Sequence, residues 1–323
     1  MVVVSHFKPD GDAVGSLMAC CNYLRSRGKA VTPVLPSPLV DYLGFVAPEG
    51  CGLLVYQGNE SAVDTALSDA DAIVCLDFNN LSRTEYLESQ ISGSRAIKVL
   101  IDHHASQDGT QFDLVYASTE VSSTCELLFH ILMQMPDVAG DVNRIGMDVA
   151  NPLYVGMMTD TNNFANSVSP FTFEMGAELL RRGVDKNALQ FAVLNNHSEH
   201  RMRMMGHLLK DKMQILEGYG AAFMILTAEE KRRYSFCPGD SEGLVNMPLT
   251  IAGVNISAFF TECPDDGYVR VSLRSRPGTD VNALASRFYN GGGHVNAAGG
   301  RLYIKTDEIP AYFLNSLQSF FQK

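Results

Sequence analysis

The sequence predicts a two-domain α/β protein, and three observations support that fold class. Its length of 323 residues is enough for two domains. In the first half, short apolar strand patterns alternate with helical patterns, which predicts a parallel sheet with helices on both faces. In the second half, hairpin patterns predict a smaller α+β domain with a mixed sheet. We therefore expect a first domain over residues 1–184, a helical linker over 185–212 and a second domain over 213–323.

Apolar runs and helix signals give the elements of the first domain in order. Pro152 should break or kink the helix that follows Asp141 near Asn151, because proline lacks a backbone N–H. A capping box, Ser123-x-x-Glu126, should open the helix after the last strand. The predicted elements are strands at 2–4, 31–35, 73–76 and 96–101, and helices at 13–27, from 123, from 141 and from Ser169-Pro170 to Gly183.

The helical linker is rich in Leu and Met. After it, the sequence pattern changes from helical to hairpin-like. Glycine-containing turns separate paired apolar runs, a pattern typical of hairpins. The predicted hairpins join 213–216 to 221–226 and 254–260 to 268–274, and the predicted helices cover 280–288 and 307 to the end.

The amino-acid composition argues against several classes of protein. Apolar residues make up 46% of the chain and charged residues 19%, which excludes a disordered chain. The net charge of −11 argues against a protein that coats long nucleic acid, because such a protein must neutralise many phosphates. The seven cysteines form no CxxC pair and their number is odd, so a disulfide framework is not indicated. Without a signal-peptide pattern or a long apolar run, the sequence predicts a cytoplasmic protein.

Polar residues collect where the predicted parallel strands end, which is where open α/β sheets place ligands. Each cluster follows an apolar run, so we expect all of them at one edge of the sheet. Carboxylates and imidazoles together suit a divalent first-row metal such as Mn²⁺, and bound cations would let an acidic protein hold a phosphate. The candidate residues are His6, Asp10, Asp12, Asp77, Asp102, His103, His104 and Asp160.

The second domain carries a candidate anion site. Arg274 and Arg276 lie on a predicted strand, and a glycine-rich run follows at 290–300. Successive glycines let backbone N–H groups approach an anion and form a nest. Arg274 and His294 could add charge-assisted hydrogen bonds to the same anion.

These motifs, in this order, resemble the DHH phosphoesterase superfamily, in its two-domain group of oligoribonucleases and pAp phosphatases of the NrnA type. The resemblance covers almost the whole chain. Asn162-Asn163 departs from it, because a glycine is common at that place, and Pro152 is also unusual. The matching motifs are His6-x-x-x-Asp10-Gly11-Asp12, Asp77, Asp102-His103-His104, Asp160 within Thr159-Asp160-Thr161, and Arg274 with Gly291-Gly292-Gly293-His294 in the associated second domain.

The resemblance implies a centre of two Mn²⁺ ions that activate a water for attack on phosphorus. Asp77 would bridge both ions and His104 would face the phosphate, which makes these two the catalytic candidates. Asp102 would orient an imidazole. The other implied roles are His6 and Asp10 on the first ion, Asp12, His103 and Asp160 on the second, and Arg274, Arg276, Gly292, Gly293 and His294 in substrate binding.

The activity implied by the resemblance is hydrolysis of oligoribonucleotides of two to five nucleotides and of 3′,5′-bisphosphorylated adenosine (pAp). One alternative is a phosphodiesterase for pApA or cyclic di-AMP. An alternative of another class is an inactive protein that binds nucleotides or RNA without cleaving them. Polyphosphate hydrolysis and a RecJ-type long-strand exonuclease fit less well. The resemblance also suggests a homodimer through the N-terminal domain, and nothing in the sequence indicates a membrane partner.

Overall fold

The computed structural model describes residues 1–105 and 109–321. Contacts divide the chain into two compact units, Met1–Asn196 and His197–Lys323. The predicted linker, 185–212, spans this division, and its first helix packs into the core of the first unit through Leu189 and Val193.

The first unit contains six strands and seven helices among its described residues, with short 3₁₀ helices between them. The strands are β1 (Val2–Val4), β2 (Thr32–Leu35), β3 (Leu54–Val55), β4 (Ala72–Leu76), β5 (Ile97–Asp102) and β6 (Leu114–Ala117). The helices are α1 (Gly11–Ser26), α2 (Glu60–Ser68), α3 (Glu88–Gly93), α4 (Thr124–Gln134), α5 (Met147–Asp160), α6 (Pro170–Arg182) and α7 (Lys186–Leu194).

The six strands form one parallel sheet in the order β3-β2-β1-β4-β5-β6. Successive strand residues point to opposite faces, so Val3 joins a core with α1, α4 and α5, whereas Val2 and Val4 join a core with α2 and α3. Both faces are therefore covered by helices, and the predicted architecture of the first domain is confirmed.

We predicted a break or a kink near Asn151, and the break does not occur, because α5 continues through Pro152. Proline leaves the carbonyl of Asp148, four residues earlier, without its helical N–H donor. The side chain of Asn22 on α1 donates to that carbonyl instead, at 2.8 Å. A contact between two helices thus replaces the missing bond within one helix.

The predicted capping box at α4 forms only in part. Ser123 caps the helix and its hydroxyl accepts the Glu126 N–H at 3.0 Å. The Glu126 carboxylate does not return to Ser123; it accepts the backbone N–H of Ser122 at 3.0 Å and the hydroxyl of Thr172 on α6 at 2.8 Å. The buried carboxylate therefore ties the start of α4 to the first turn of α6.

The second unit is built on a mixed sheet. Its elements are α8 (Glu199–His207), a π-helical turn at Leu208–Lys212, β7 (Gln214–Leu216), β8 (Ala221–Leu226), α9 (Ala228–Arg233), β9 (Ile256–Cys263), β10 (Tyr268–Ser275), α10 (Val281–Phe288), β11 (Gly292–His294), β12 (Ala297–Leu302) and α11 (Ile309–Phe321). The sheet order is β11-β12-β10-β9-β8-β7, and within it β8 and β9 pair in parallel. Both predicted hairpins are present, and the α+β prediction is confirmed.

A buried carboxylate gives the second unit a pH-dependent contribution to stability. Burial raises the pKa of Glu230, but hydrogen bonds from Thr227, His207 and Lys212 outweigh burial and hold that pKa at about 2, below its ordinary 4.5. A carboxylate with a lowered folded-state pKa stabilises the fold above its ordinary pKa, and this contribution is lost as pH falls from 4.5 towards 2.

Glu230→Gln should therefore lower the free energy of unfolding of the second unit at pH 7 by about 1.5–3 kcal/mol, the loss expected for hydrogen bonds to a charged group. Urea unfolding at a series of pH values checks this, with Glu229→Gln at the exposed neighbouring residue as the control. The difference from wild type should shrink below pH 4.5. A difference that stays constant down to pH 2 would contradict the assignment.

None of the helices in the described part of the chain combines the length and the apolar character that a membrane crossing requires.

Candidate metal centre

The predicted ligands lie where loops leave the ends of β1, β4 and β5. His6 follows β1, and Asp10 caps α1 by accepting the N–H groups of residues 12 and 13. Asp77 follows β4 with a left-handed backbone, φ +65°, which turns its side chain out of the strand direction. Asp102 is the last residue of β5. Asp160 was expected at a strand end, and the structure places it instead as the last residue of helix α5.

The structure brings these side chains together as groups of three. Within each group the ligand atoms lie within 4.8 Å of one another. The groups are His6 with Asp10 and Asp77, Asp12 with His103 and Asp160, and Asp77 with His103 and His104.

Asp77 stands between the first two groups and directs a different oxygen to each. Its Oδ2 lies 3.6 Å from Nε2 of His6, and its Oδ1 lies 3.6 Å from Nε2 of His103. On the far side, Nε2 of His103 lies 3.3 Å from Oδ2 of Asp160. A carboxylate with one oxygen towards each donor group is suited to link two cations.

The first turn of α4 holds Asp12. Its two carboxylate oxygens accept the N–H groups of Thr124 at 2.6 Å and of Cys125 at 2.9 Å. These N–H groups have no partner within the helix, so an acceptor at this end satisfies them. The hydroxyl of Thr124 donates to Oδ1 of Asp77 at 2.9 Å.

The carboxylates oppose one another electrostatically. Burial, together with the charge of Asp77, raises the pKa of Asp12 well above its usual value, and burial with the charge of Asp12 does the same for Asp160. Burial also raises the pKa of Asp77, but His6 and the two neighbouring imidazoles outweigh it and hold that pKa at about 2. Buried like charges of this kind are costly unless cations offset them. Carboxylate and imidazole donors without thiolate fit a hard or borderline divalent cation.

A buried carboxylate fixes His104. Nδ1 of His104 lies 2.7 Å from Oδ1 of Asp102, which is fully buried. Burial lowers the pKa of His104, whereas Asp102 and Asp77 raise it, and the net shift is upward. The positive charge of Arg83 acts against protonation of the same ring. The structure thus places Asp102 in contact with one of the two imidazoles, His104.

Close helix packing at glycine brings α5 up to the site. A Cβ at Gly156 would lie 2.6 Å from Oδ1 of Asp12 and against the sulfur of Cys125. A Cβ at Gly11 would likewise overlap Thr159. Sequence reasoning missed Gly156 and Thr124. A glycine inside a helix was the available signal for Gly156, since that residue is unfavourable there without a packing reason.

Gly156→Ala should displace the Asp12 carboxylate and lower kcat about 100-fold, the scale of loss for a misplaced catalytic group. Overpacking should also cost about 1–3 kcal/mol of stability. Gly206→Ala is the matched control, because Gly206 lies in helix α8 with open space around its Cβ position. Assays of kcat and of thermal unfolding check both effects. Wild-type kcat in the Gly156 variant would contradict the packing argument.

The left-handed turn after α5 accounts for the departure at Asn162-Asn163. Asn162, Asn163 and Phe164 all have positive φ, between 46° and 68°. Asparagine adopts this conformation more readily than most residues. It can therefore occupy a place where glycine is common without moving Asp160.

In the second unit, the two predicted arginines have different surroundings. Arg274 on β10 is largely buried, burial lowers its pKa, and its Nη1 donates to the carbonyl of Leu273 at 3.0 Å. Arg276 is exposed, and its Nε and Nη2 donate to the carbonyl of Leu249 at 3.2 and 2.6 Å.

Gly292, Gly293 and His294, which were predicted to form an anion nest, lie on the exposed edge strand β11, which pairs with β12. The N–H of Gly293 donates to the side chain of Asn282 at 2.8 Å. The neighbouring Gly291 serves close packing: a Cβ there would lie 1.9 Å from the carbonyl oxygen of Gly299. Close packing against β12 thus explains the glycine at position 291.

Comparison with known proteins assigns both parts of the chain to known domains. Residues 1–157 match the N-terminal domain of the DHH family, and residues 221–322 match the DHHA1 domain. The chain is 27% identical to a probable bifunctional oligoribonuclease and PAP phosphatase NrnA of Streptococcus mutans, over 97% of this chain and 92% of that protein. It is 26% identical to the bifunctional oligoribonuclease and PAP phosphatase NrnA of Bacillus subtilis, over 94% and 89%.

A crystal structure of an exopolyphosphatase-related protein from Bacteroides fragilis is 36% identical to this chain, with a TM-score of 0.92, and the match covers 99% of this chain and 92% of that one. The two domain matches and the shared fold agree. The chain therefore belongs to the DHH family and combines its N-terminal domain with a DHHA1 domain.

Proposed function

We propose that this protein is a Mn²⁺-dependent phosphoesterase that hydrolyses short oligoribonucleotides and pAp. The observation that carries the proposal is Asp77, which presents one oxygen to each of two donor groups. The names of the Streptococcus mutans and Bacillus subtilis relatives supply the substrate class.

Two Mn²⁺ ions fit the donor groups. His6 and Asp10 would hold the first ion, Asp12, His103 and Asp160 the second, and Asp77 both. Two such ions, when bound, lower the pKa of a water and neutralise charge on the phosphoryl oxygens.

The remaining residues orient the substrate. Asp102 accepts a hydrogen bond from Nδ1 of His104 and holds the proton there. The imidazole then presents Nε2 to a phosphate oxygen, as a hydrogen-bond donor when it is protonated. Its raised pKa favours the protonated form. A donor aimed at the oxygen on which charge develops stabilises the transition state.

For the second unit, we propose that Arg274, Arg276, Gly292, Gly293 and His294 contact the nucleotide or a further phosphate. The match of residues 221–322 to the DHHA1 domain supports this. Positive charge is needed there because the chain as a whole carries −11.

The experiment is a side-by-side assay, with Mn²⁺, of pAp, a tri-ribonucleotide, a long RNA, pApA and polyphosphate. Fast turnover of pAp and the trimer with slow turnover of long RNA is the expected result. Selective turnover of pApA would favour the dinucleotide-signalling alternative. No turnover of any substrate by protein that has bound Mn²⁺ would overturn the proposal in favour of the binding-only alternative.

We further propose a homodimer, with the outer edge of the first unit's sheet as its interface. β6 lies at that edge, and Leu114, Val115 and Tyr116 are each 43–50% exposed. An apolar edge strand is a template for pairing with another chain, and two copies of one strand can pair antiparallel about a twofold axis. Light scattering should give twice the 35.3 kDa chain mass, and the monomer mass would refute the dimer.

A further inference from the structure

Thr124 contacts both parts of the candidate metal centre. Its backbone N–H donates to Oδ2 of Asp12 at 2.6 Å, and its hydroxyl donates to Oδ1 of Asp77 at 2.9 Å. Thr124 is fully buried at the first position of α4. One residue thus connects a ligand of the second ion to the carboxylate that faces both ions.

The hydroxyl bond selects one orientation of Asp77. The oxygen that accepts from Thr124 is the one directed at His103, and the other oxygen is directed at His6. Asp77 has a positive φ of +65°, which is uncommon for residues other than glycine. A carboxylate that is free to rotate would lose the arrangement of one oxygen for each donor group.

The position of Thr124 is itself fixed. Ser123 caps α4, and the buried carboxylate of Glu126 joins Ser122 to Thr172 on α6. These bonds hold the first turn of the helix from two sides. The hydroxyl of Thr124 therefore has little freedom to leave Asp77.

We propose that Thr124 is a positioning residue that orients Asp77 for two cations and couples this orientation to Asp12. The inference rests on the proposed metal site and adds a residue that is not itself a ligand. Loss of its hydroxyl should weaken Mn²⁺ binding about 10- to 100-fold, the scale typical of a residue that orients a metal ligand. Thr124→Val removes only the hydroxyl, since the backbone N–H to Asp12 remains.

The test is titration of metal-free protein with Mn²⁺ by calorimetry, together with electron paramagnetic resonance of the bound ions. Wild type, Thr124→Val and Thr124→Ser are compared. Thr84→Val is the matched control, because Thr84 is also fully buried and its hydroxyl bonds only the carbonyl of Leu81 among the hydrogen bonds of the described residues. Circular dichroism confirms folding of each variant, and Thr124→Ala replaces the valine variant if that one does not fold.

Weaker Mn²⁺ binding and a changed spin-coupling signal in Thr124→Val, with near wild-type behaviour of Thr124→Ser and Thr84→Val, would support the inference. Wild-type binding by Thr124→Val, or equal losses in the valine and serine variants, would overturn it. Wild type that binds no pair of Mn²⁺ ions would instead refute the proposed metal site, so the two failures are distinguishable.

Discussion

Asp77→Asn is expected to lower kcat by at least about 10³-fold. The amide keeps the size of the side chain but removes its charge and replaces one ligand oxygen with an NH₂ group. Each oxygen of Asp77 faces a different donor group. In either orientation of the amide, the NH₂ group therefore faces one of these groups and cannot act as a metal ligand there. Both the Mn²⁺ content after dialysis and kcat should fall.

The control for Asp77→Asn is Asp69→Asn, at an exposed carboxylate just after α2 in the same unit. This variant should keep both the metal content and kcat of wild type. Near-normal turnover by the Asp77 variant, with correct folding by circular dichroism, would be incompatible with a two-metal mechanism.

His104→Gln is expected to lower kcat about 10²–10³-fold while the Mn²⁺ content stays near that of wild type. His104 is held by the buried Asp102 at 2.7 Å, and we assign it to the substrate phosphate rather than to an ion. The loss should therefore appear in turnover of bound substrate. Removal of the imidazole should also change the alkaline limb of the pH profile, because the protonated ring is the proposed donor and its charge is lost as pH rises through its raised pKa.

Metal content distinguishes a phosphate contact from a ligand at this position. His104 can also be grouped with Asp77 and His103 as a potential donor set. If His104→Gln lost one Mn²⁺ per chain, the assignment to the phosphate would be wrong. His200→Gln, at an exposed histidine of α8, is the matched control and should change neither quantity.

Much of the fold could be predicted because the local hydrophobic and capping patterns of the sequence agree with the tertiary structure. The valine run at β1 is buried on both faces, as expected for an inner parallel strand. The helix α6 begins after Ser169 and ends at Gly183, whose φ is +111°. In both places the residues that identify the element lie within it or directly beside it, so the element can be predicted without knowledge of distant contacts.

The errors in prediction arose where a distant side chain changed the local outcome. The donor to the Asp148 carbonyl, Asn22, is 126 residues away in sequence, so a helix that continues through Pro152 could not be foreseen. The carboxylate of Glu126 similarly bonds Thr172 rather than completing a local box. The glycine run fits the pattern for an anion nest, but that pattern did not predict that residues 292–294 form an edge strand paired with β12.

The candidate metal ligands could be predicted from sequence, whereas the residues that hold those ligands in place could not. Metal ligands have a restricted chemistry, so Asp and His at the ends of apolar runs are informative from sequence alone. A threonine hydroxyl or a helix glycine has many ordinary roles. Thr124 and Gly156 became meaningful only when the contacts of Asp12 and Asp77 were known.

The most direct measurement is anomalous X-ray diffraction at the manganese absorption edge from crystals grown with Mn²⁺. The account predicts two peaks in the first unit, one among His6, Asp10 and Asp77 and the other among Asp12, His103 and Asp160, with Asp77 in contact with both. A single peak, or peaks away from these residues, would contradict the two-metal centre.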